Sequence, residues 1–191
     1  MNEPLLGRHI EVRNPRSGEL DYSFTAPNKA ALSNMTQLLR AKQPAWLAIG
    51  VKERINIIRR WQKALHCERD SIIEALRQDT GRLMLADQEF NGLQGSIDRW
   101  CTEAPALVAP YQKTATAIAT VEIHGDSSPY QLLGAISPWN FPLLLSFIDV
   151  IPALLAGCSV LIKPSEITPR FAVPIARSIA AVNELADILA V

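Results

Sequence analysis

The chain has 191 residues, 48% apolar and 20% charged, with a formal net charge of zero. That length allows one well-buried core, or a domain with an appendage. The composition excludes a disordered or fibrous protein, and the balanced charge offers no basic surplus for nucleic acid. The three cysteines, Cys67, Cys101 and Cys158, are far apart and odd in number, and the start MNEPLLGRHIE has no apolar signal core. A disulfide-free cytoplasmic protein is expected.

Residues 10 to 25 read as a hairpin. Ile10 and Val12 alternate with polar neighbours, Asn14 to Gly18 supply a turn, and Leu20, Tyr22 and Phe24 alternate again. Asn28 is expected to cap a helix with Leu32, Met35, Leu38 and Leu39 on one face, ending at Pro44-Ala45-Trp46. From about Val51, Ile55, Ile58, Trp61 and Leu65 form one helical stripe, continued by Ile72, Ile73 and Leu76 and stopped by Gly81. Leu83 to Val108 is helical again, with Pro105 and Pro110 marking its end. His66, Cys67, Trp61 and Trp100 in this amphipathic stretch read as packing residues, with no metal site expected.

Between Lys113 and Gln131, TATAIATVEIH alternates, Gly125 to Pro129 supplies a turn, and YQLLGAIS returns. Such a ribbon has little core of its own and needs a partner edge. It reads as an arm for assembly, although an edge covered within one subunit would have the same pattern.

Leu132 to Glu166 is the centre of the chain. A short strand breaks at Ser137-Pro138-Trp139-Asn140, an apolar segment of helical length follows, and a second strand ends in Lys163-Pro164-Ser165-Glu166. This is the size of one βαβ unit, roughly 30 residues. Ligands collect at the carboxyl ends of such strands, where both polar clusters fall. A membrane span over 143–162 is disfavoured by Asp149, Pro152, Gly157 and the β-branched close. Thr168-Pro169 is expected to open a helix burying Phe171, Ile175, Ile179 and Val182. Ile188 to Val191 then opens another strand, so the sheet reads as cut short and only marginally stable alone. From residue types alone, Asn140 reads equally as a turn residue between two prolines, and Lys163 to Glu166 as a plain loop.

At Pro138-Trp139-Asn140-Phe141-Pro142 and Lys163-Pro164-Ser165-Glu166 the sequence resembles the aldehyde dehydrogenase superfamily. Pro152-Ala153-Leu154, Ala156-Gly157, Asn14-Pro15, Gln43 to Trp46, Arg54 and Thr80-Gly81 extend the likeness over nearly the whole chain. The resemblance implies an α/β fold: a partial Rossmann-like parallel sheet with N-terminal helices and a protruding β-ribbon. It divides the chain into a hairpin and helical part (1–109), an oligomerisation-type arm (110–131) and the first βαβα part of a dinucleotide-binding core (132–191), with no catalytic domain.

In that family a cysteine thiolate attacks the aldehyde, an asparagine amide and a backbone N–H hold the oxyanion, hydride leaves to nicotinamide, and a glutamate activates water against the thioester. Asn140 matches the asparagine, a neutral donor that flanking prolines can fix. Lys163 and Glu166 match the contacts to the adenosine ribose, within a cofactor-binding run of Pro164, Ser165 and their neighbours. Ile136, Ser137, Pro138 and Trp139, with Asn140, match the segment lining the dinucleotide groove. Glu166 would repel a 2′-phosphate, so NAD is favoured over NADP. None of the three cysteines has the family's Gly-Gln setting, and its glutamate and glycine loops have no counterpart here. The resemblance implies an N-terminal fragment of an NAD-dependent aldehyde dehydrogenase, not competent alone and homo-oligomeric at full length. The alternative is a non-catalytic dinucleotide-binding or assembly module.

Overall fold

A computed structural model of the chain describes residues 6–110, 113–123, 125 and 127–191. The hairpin forms as the alternation predicts, with β1 (Leu6–Arg13) antiparallel to β2 (Leu20–Pro27). Asn14 builds its turn. The side-chain oxygen accepts the Arg16 N–H and the carbonyl accepts the Gly18 N–H, each at 2.9 Å, and Gly18 takes a left-handed φ of 77°.

Helix α1 (Lys29–Ala48) starts where expected, with Asn28 Oδ1 accepting the Ala31 N–H at 2.8 Å. It does not end at Pro44, which lies inside it. An interior proline removes one helix hydrogen bond, but here the last turns are anchored from outside. Gln43 Nε2 donates to Gly157 O at 2.8 Å and the Trp46 indole donates to Leu154 O at 2.9 Å. The buried face shifts accordingly: Leu39, Gln43 and Trp46 are buried, while Leu38 is 66% exposed.

Helices α2 (Gly50–Cys67), α3 (Arg69–Thr80) and α4 (Leu83–Leu107) complete a helical layer. Arg54 and Ile57 join Ile58, Trp61 and Leu65 on the buried stripe of α2, and Ile55 is only half-buried. Gly81, with φ 70°, stops α3 as predicted.

The stretch after α4 departs from the expected long ribbon. Among the described residues only β3 (Thr114–Ala115) and β4 (Glu122–Ile123) pair there, antiparallel, and the reversal lies between them, where the Thr116 N–H donates to Val121 O at 3.3 Å. His124 and Asp126, at the expected turn, lie outside the described residues. The returning segment leaves the ribbon at Leu132 and forms the first strand of the βαβ unit, as expected for the stretch from Leu132. As β5 (Leu132–Ile136) it pairs parallel with β6 (Ser159–Lys163), because Leu133 and Ala135 find the core there and the exposed ribbon has none to offer.

The parallel sheet runs β5-β6-β7, with β7 at Leu189–Ala190 as the expected opening strand. The first crossover is α5 (Pro142–Phe147) and α6 (Val150–Ala156), and the second is α7 (Ala172–Ala180) and α8 (Asn183–Ala186). The apolar run 143–162 is thus two short helices and a strand, and among the described residues no helix is long and apolar enough to cross a membrane. Thr168-Pro169 does not cap α7, which begins three residues after Pro169, beyond a turn in which the Ala172 N–H donates to Pro169 O at 3.0 Å.

One core joins helices to sheet. Ile58, Trp61, Leu76, Phe90 and Leu93 meet Phe147, Leu154, Val160, Phe171 and Ile175, all buried. Each such side chain stabilises by about 1.5–3 kcal/mol. Trp61 lies at its centre, 5.3 Å from the Phe147 ring, with its indole donating to Ser178 Oγ at 3.0 Å.

The loop entering α7 is pinned by Arg170, 8% exposed. Its backbone N–H donates to Asp79 Oδ2 at 2.7 Å, its Nε to Asp79 Oδ1 at 2.8 Å, and its guanidinium also pairs with Asp21 of β2. Burial works against the guanidinium charge, but Asp21 and Asp79 outweigh it and hold Arg170 above its ordinary value. Burial pushes the Asp79 carboxyl up to about 6, against the pull of Arg170. With the folded value above the ordinary 3.8, the stability from this carboxyl is full below 3.8 and lost as pH rises through about 6. Arg170→Met strands Asp79 and should cost about 3–5 kcal/mol at pH 8. The loss should shrink at pH 5, where the carboxyl takes up a proton. Denaturant melts at the two pH values check this, and an equal loss at both contradicts it.

Candidate functional site

Two strand ends lie side by side. Ile136, the last residue of β5, is in register with Lys163, the last of β6, and the Ser137 N–H carries the pairing one step further by donating to Lys163 O at 3.1 Å. Ser137 is buried, while Ile136 is 80% exposed and Pro138 is exposed beside it.

Beyond Ser137 the chain turns through Pro138 to Phe141 and enters α5 with Pro142 in its first turn, a position that tolerates the missing N–H. Other elements hold this turn. Thr168 Oγ1 donates to Trp139 O at 3.3 Å, and Arg82 Nη1 donates to Asn140 O at 2.7 Å. The Arg82 guanidinium also lies 5.4 Å from the centre of the Phe141 ring. Glu89 Oε2 accepts the N–H groups of Leu143 at 3.0 Å and Leu144 at 3.2 Å, capping the first turn of α5. Burial holds the Glu89 carboxyl above its ordinary value, opposed by those two N–H groups and by Arg82. The Asn140 side chain is half-buried, and its amide makes no hydrogen bond among the described residues.

At the other strand end, Lys163 Nζ donates to Glu166 Oε2 at 2.8 Å and to Pro164 O at 3.2 Å. This lysine bond, with its charge, holds the Glu166 carboxyl below its ordinary range. Ser165 is buried, and its hydroxyl accepts the Ile167 N–H at 3.2 Å, so it serves the loop's shape. Lys163, Pro164 and Glu166 line a cavity of about 500 Å³ together with Arg8, Tyr22 and Phe24 of the hairpin and Leu32 and Met35 of α1. Residues 136–140 do not line it. The structure therefore joins Ile136 and Ser137 to Lys163, gathers Lys163, Pro164 and Glu166 at the cavity, and seats Trp139 and Asn140 on a separate set of supports.

A charged rim beside an apolar wall is chemistry suited to a sugar and a planar base. An ammonium can donate to ribose hydroxyls, a carboxylate can accept from them, and Tyr22, Phe24 and Leu32 offer apolar contact. Cys101 and Cys158 are buried, with thiols pushed up by burial, and Cys67 is exposed. Among the described residues no cluster of His, Cys, Asp and Glu could hold a metal.

The motif reading missed the supports. Glu89 is a carboxylate on the apolar stripe of α4, beside Ala86, Phe90 and Leu93, and that placement was its only signal. Arg82, half-buried, follows the Gly81 stop with nothing in its local sequence to set it apart from a surface cation. The hairpin's wall of the cavity had no local signal.

The family model of the aldehyde dehydrogenases matches residues 3–190. The chain belongs to the aldehyde dehydrogenase family. N-succinylglutamate 5-semialdehyde dehydrogenase of Chromobacterium violaceum is 30% identical to it over 164 residues, covering 85% of this chain and 33% of that protein. The solved PutA of Anabaena variabilis, named as a candidate aldehyde dehydrogenase, is 44% identical with a TM-score of 0.91, covering 96% of this chain and 39% of that one. An NAD-dependent benzaldehyde dehydrogenase from Corynebacterium glutamicum is 26% identical with a TM-score of 0.83, covering 95% of this chain and 40% of its own. Other relatives carry NADP in their names. The chain spans about a third of the length of the curated relatives it matches.

The exposed Lys163–Glu166 pair gives a test of local electrostatics. Lys163→Met should move the Glu166 carboxyl titration up towards its ordinary range, as read by carbon NMR. The folded value is depressed, so the pair's stability is present above the ordinary carboxylate range and lost as pH falls. Solvent screening keeps that stability below about 1 kcal/mol. An unmoved titration would show that the two side chains do not pair in solution.

Proposed function

We propose that this chain supplies the oxyanion donor and the adenosine-ribose contacts of an NAD-dependent aldehyde dehydrogenase, and that it is not competent alone. The observation that carries this reading is the Ser137 N–H to Lys163 O bond at 3.1 Å, which joins the Asn140 turn to the Lys163 strand end. Asn140 would donate its side-chain amide to the alkoxide formed when a cysteine thiolate, supplied by other parts of the enzyme, adds to an aldehyde. A neutral donor already in place stabilises that charge without reorganising, and loss of one such donor typically costs about 10²–10³ in kcat. Lys163 and Glu166 would hold the ribose hydroxyls at the cavity, with Pro164 and Ser165 shaping the loop, and Ile136, Ser137, Pro138 and Trp139, which lie outside that cavity, would meet the dinucleotide beyond it at the end of β5. NAD, when bound, supplies the hydride acceptor.

Glu166, kept ionised by Lys163, would repel a 2′-phosphate, so NAD is preferred to NADP. Segments 1–109, 110–131 and 132–191 would act as scaffold, assembly arm and first part of the nucleotide-binding core of a cytoplasmic homo-oligomer. The exposed Ile118, Val121 and Ile123 of the ribbon also favour a second reading, in which the chain is an assembly or dinucleotide-binding module without chemistry.

Titrating the chain with NAD and NADP tests the cofactor part. NAD should quench tryptophan fluorescence, and Trp139→Phe should abolish the quench but keep the binding heat. Lys163→Ala should weaken binding about tenfold, the worth of a charge-assisted hydrogen bond. Glu166→Gln should narrow the gap between NAD and NADP. Absence of NAD binding, or binding indifferent to Lys163, overturns the assignment.

A further inference from the structure

The turn carrying Asn140 is held by two charged residues of a different layer, and this goes beyond the motif. Arg82 immediately precedes α4 and Glu89 lies two turns further on. One end of the turn is fixed by the Arg82 bond to Asn140 O at 2.7 Å, the other by the two N–H groups that Glu89 accepts at 3.0 and 3.2 Å. Between them Phe141 lies under the Arg82 guanidinium. Pro138 and Pro142 lock φ on either side of this stretch. With its carbonyl direction set, Asn140 keeps only a choice among staggered side-chain rotamers.

We infer that Arg82 and Glu89 are positioning residues that aim the Asn140 amide, an inference that rests on the oxyanion reading of Asn140 given above. Their charges are opposite and mutually attractive, and each takes a separate part of the turn, so neither replaces the other. Arg82 governs the direction of the Asn140 carbonyl, and through it the side chain. Glu89 governs the N-terminus of α5, whose six residues are too few to hold their own first turn without a cap. Nothing in the cofactor cavity enters this arrangement.

The test therefore needs no cofactor and no turnover. In the nitrogen-labelled chain, the side-chain amide signals of Asn140 are assigned by their loss in Asn140→Asp. Arg82→Met should shift or broaden them beyond a line width while leaving the Ser137 N–H unchanged, and Arg82→Lys, which still donates, should bring them back towards wild type. Glu89→Ala should speed hydrogen exchange at Leu143 and Leu144 by about tenfold or more, and Glu89→Gln, which still accepts, should restore most of that protection. If Arg82→Met fails to fold, the Glu89 pair of variants decides by the same exchange measurement, together with movement of the Asn140 signal. An Asn140 amide indifferent to both positions, or conservative variants that rescue nothing, overturns the inference. Failure of NAD to bind leaves these readouts untouched and would count only against the cofactor assignment.

Discussion

Arg54, 3% exposed, donates to three backbone carbonyls: Leu155 at 2.9 Å, Leu47 at 2.9 Å and Trp46 at 3.3 Å. Leu155 lies in the last turn of α6, and Trp46 and Leu47 lie in the last turn of α1. Helix ends leave carbonyls without partners and carry partial negative charge, so a guanidinium there satisfies geometry and charge together. Burial lowers its pKa, but an arginine has range to spare and remains the cation the carbonyls need. The two helix ends are thereby locked to one another just before β6 begins. Gly157 sits in that gap with φ 108°, where a Cβ would come within 2.7 Å of Leu47 Cδ1. The Leu47 tip could move aside, but the positive φ strains any residue that carries a Cβ.

Everything at the site follows from where β6 starts and stops. Its start is set by Arg54 and by the Gln43 bond to Gly157 O. Its end is set by the Ser137 N–H on Lys163 O, and the loop beyond is tied back to α3 and β2 through Arg170. The Asn140 turn is held in turn by α4 and by Thr168. The hundred or so residues before the parallel sheet are thus more than a cover for it. They reach into both ends of the two strands that carry the polar groups.

Local pattern made much of this legible. Alternation marked the hairpin, the Asn28 cap and the Gly81 stop marked helix ends, and the two polar breaks marked the strand termini. The failures share a cause: partners distant in sequence. Pro44 stays inside α1 because Trp46 and Gln43 bond residues more than a hundred positions away. TATAIATVEIH alternates, yet most of it is exposed and only two short strands pair among the described residues, since alternation without a facing core does not make a strand. Thr168 has a cap's chemistry and spends its hydroxyl on Trp139 O instead. The motif residues were readable as types, but Ser165 turned out to be buried and spent on its own loop. Arg82 and Glu89 could be recognised only once the turn they hold was in place.

The two halves of the site also differ in what a ligand would meet. Lys163 and Glu166 already satisfy each other across 2.8 Å, in solvent, where an ion pair is worth little. On the proposed reading, exchanging that contact for ribose hydroxyls would cost little, so the pair could remain paired without a ligand and still yield to one. Asn140 is the opposite case: its carbonyl is committed to Arg82 and its amide makes no hydrogen bond among the described residues, so in the proposed role no contact between those residues has to break before it donates. A donor that must stabilise charge appearing during a reaction gains most from being held ready, whereas a contact that binds and releases a cofactor gains from being replaceable. The rigid supports gather on the Asn140 side and the exposed, exchangeable pair at Lys163, an arrangement that suits the two proposed roles.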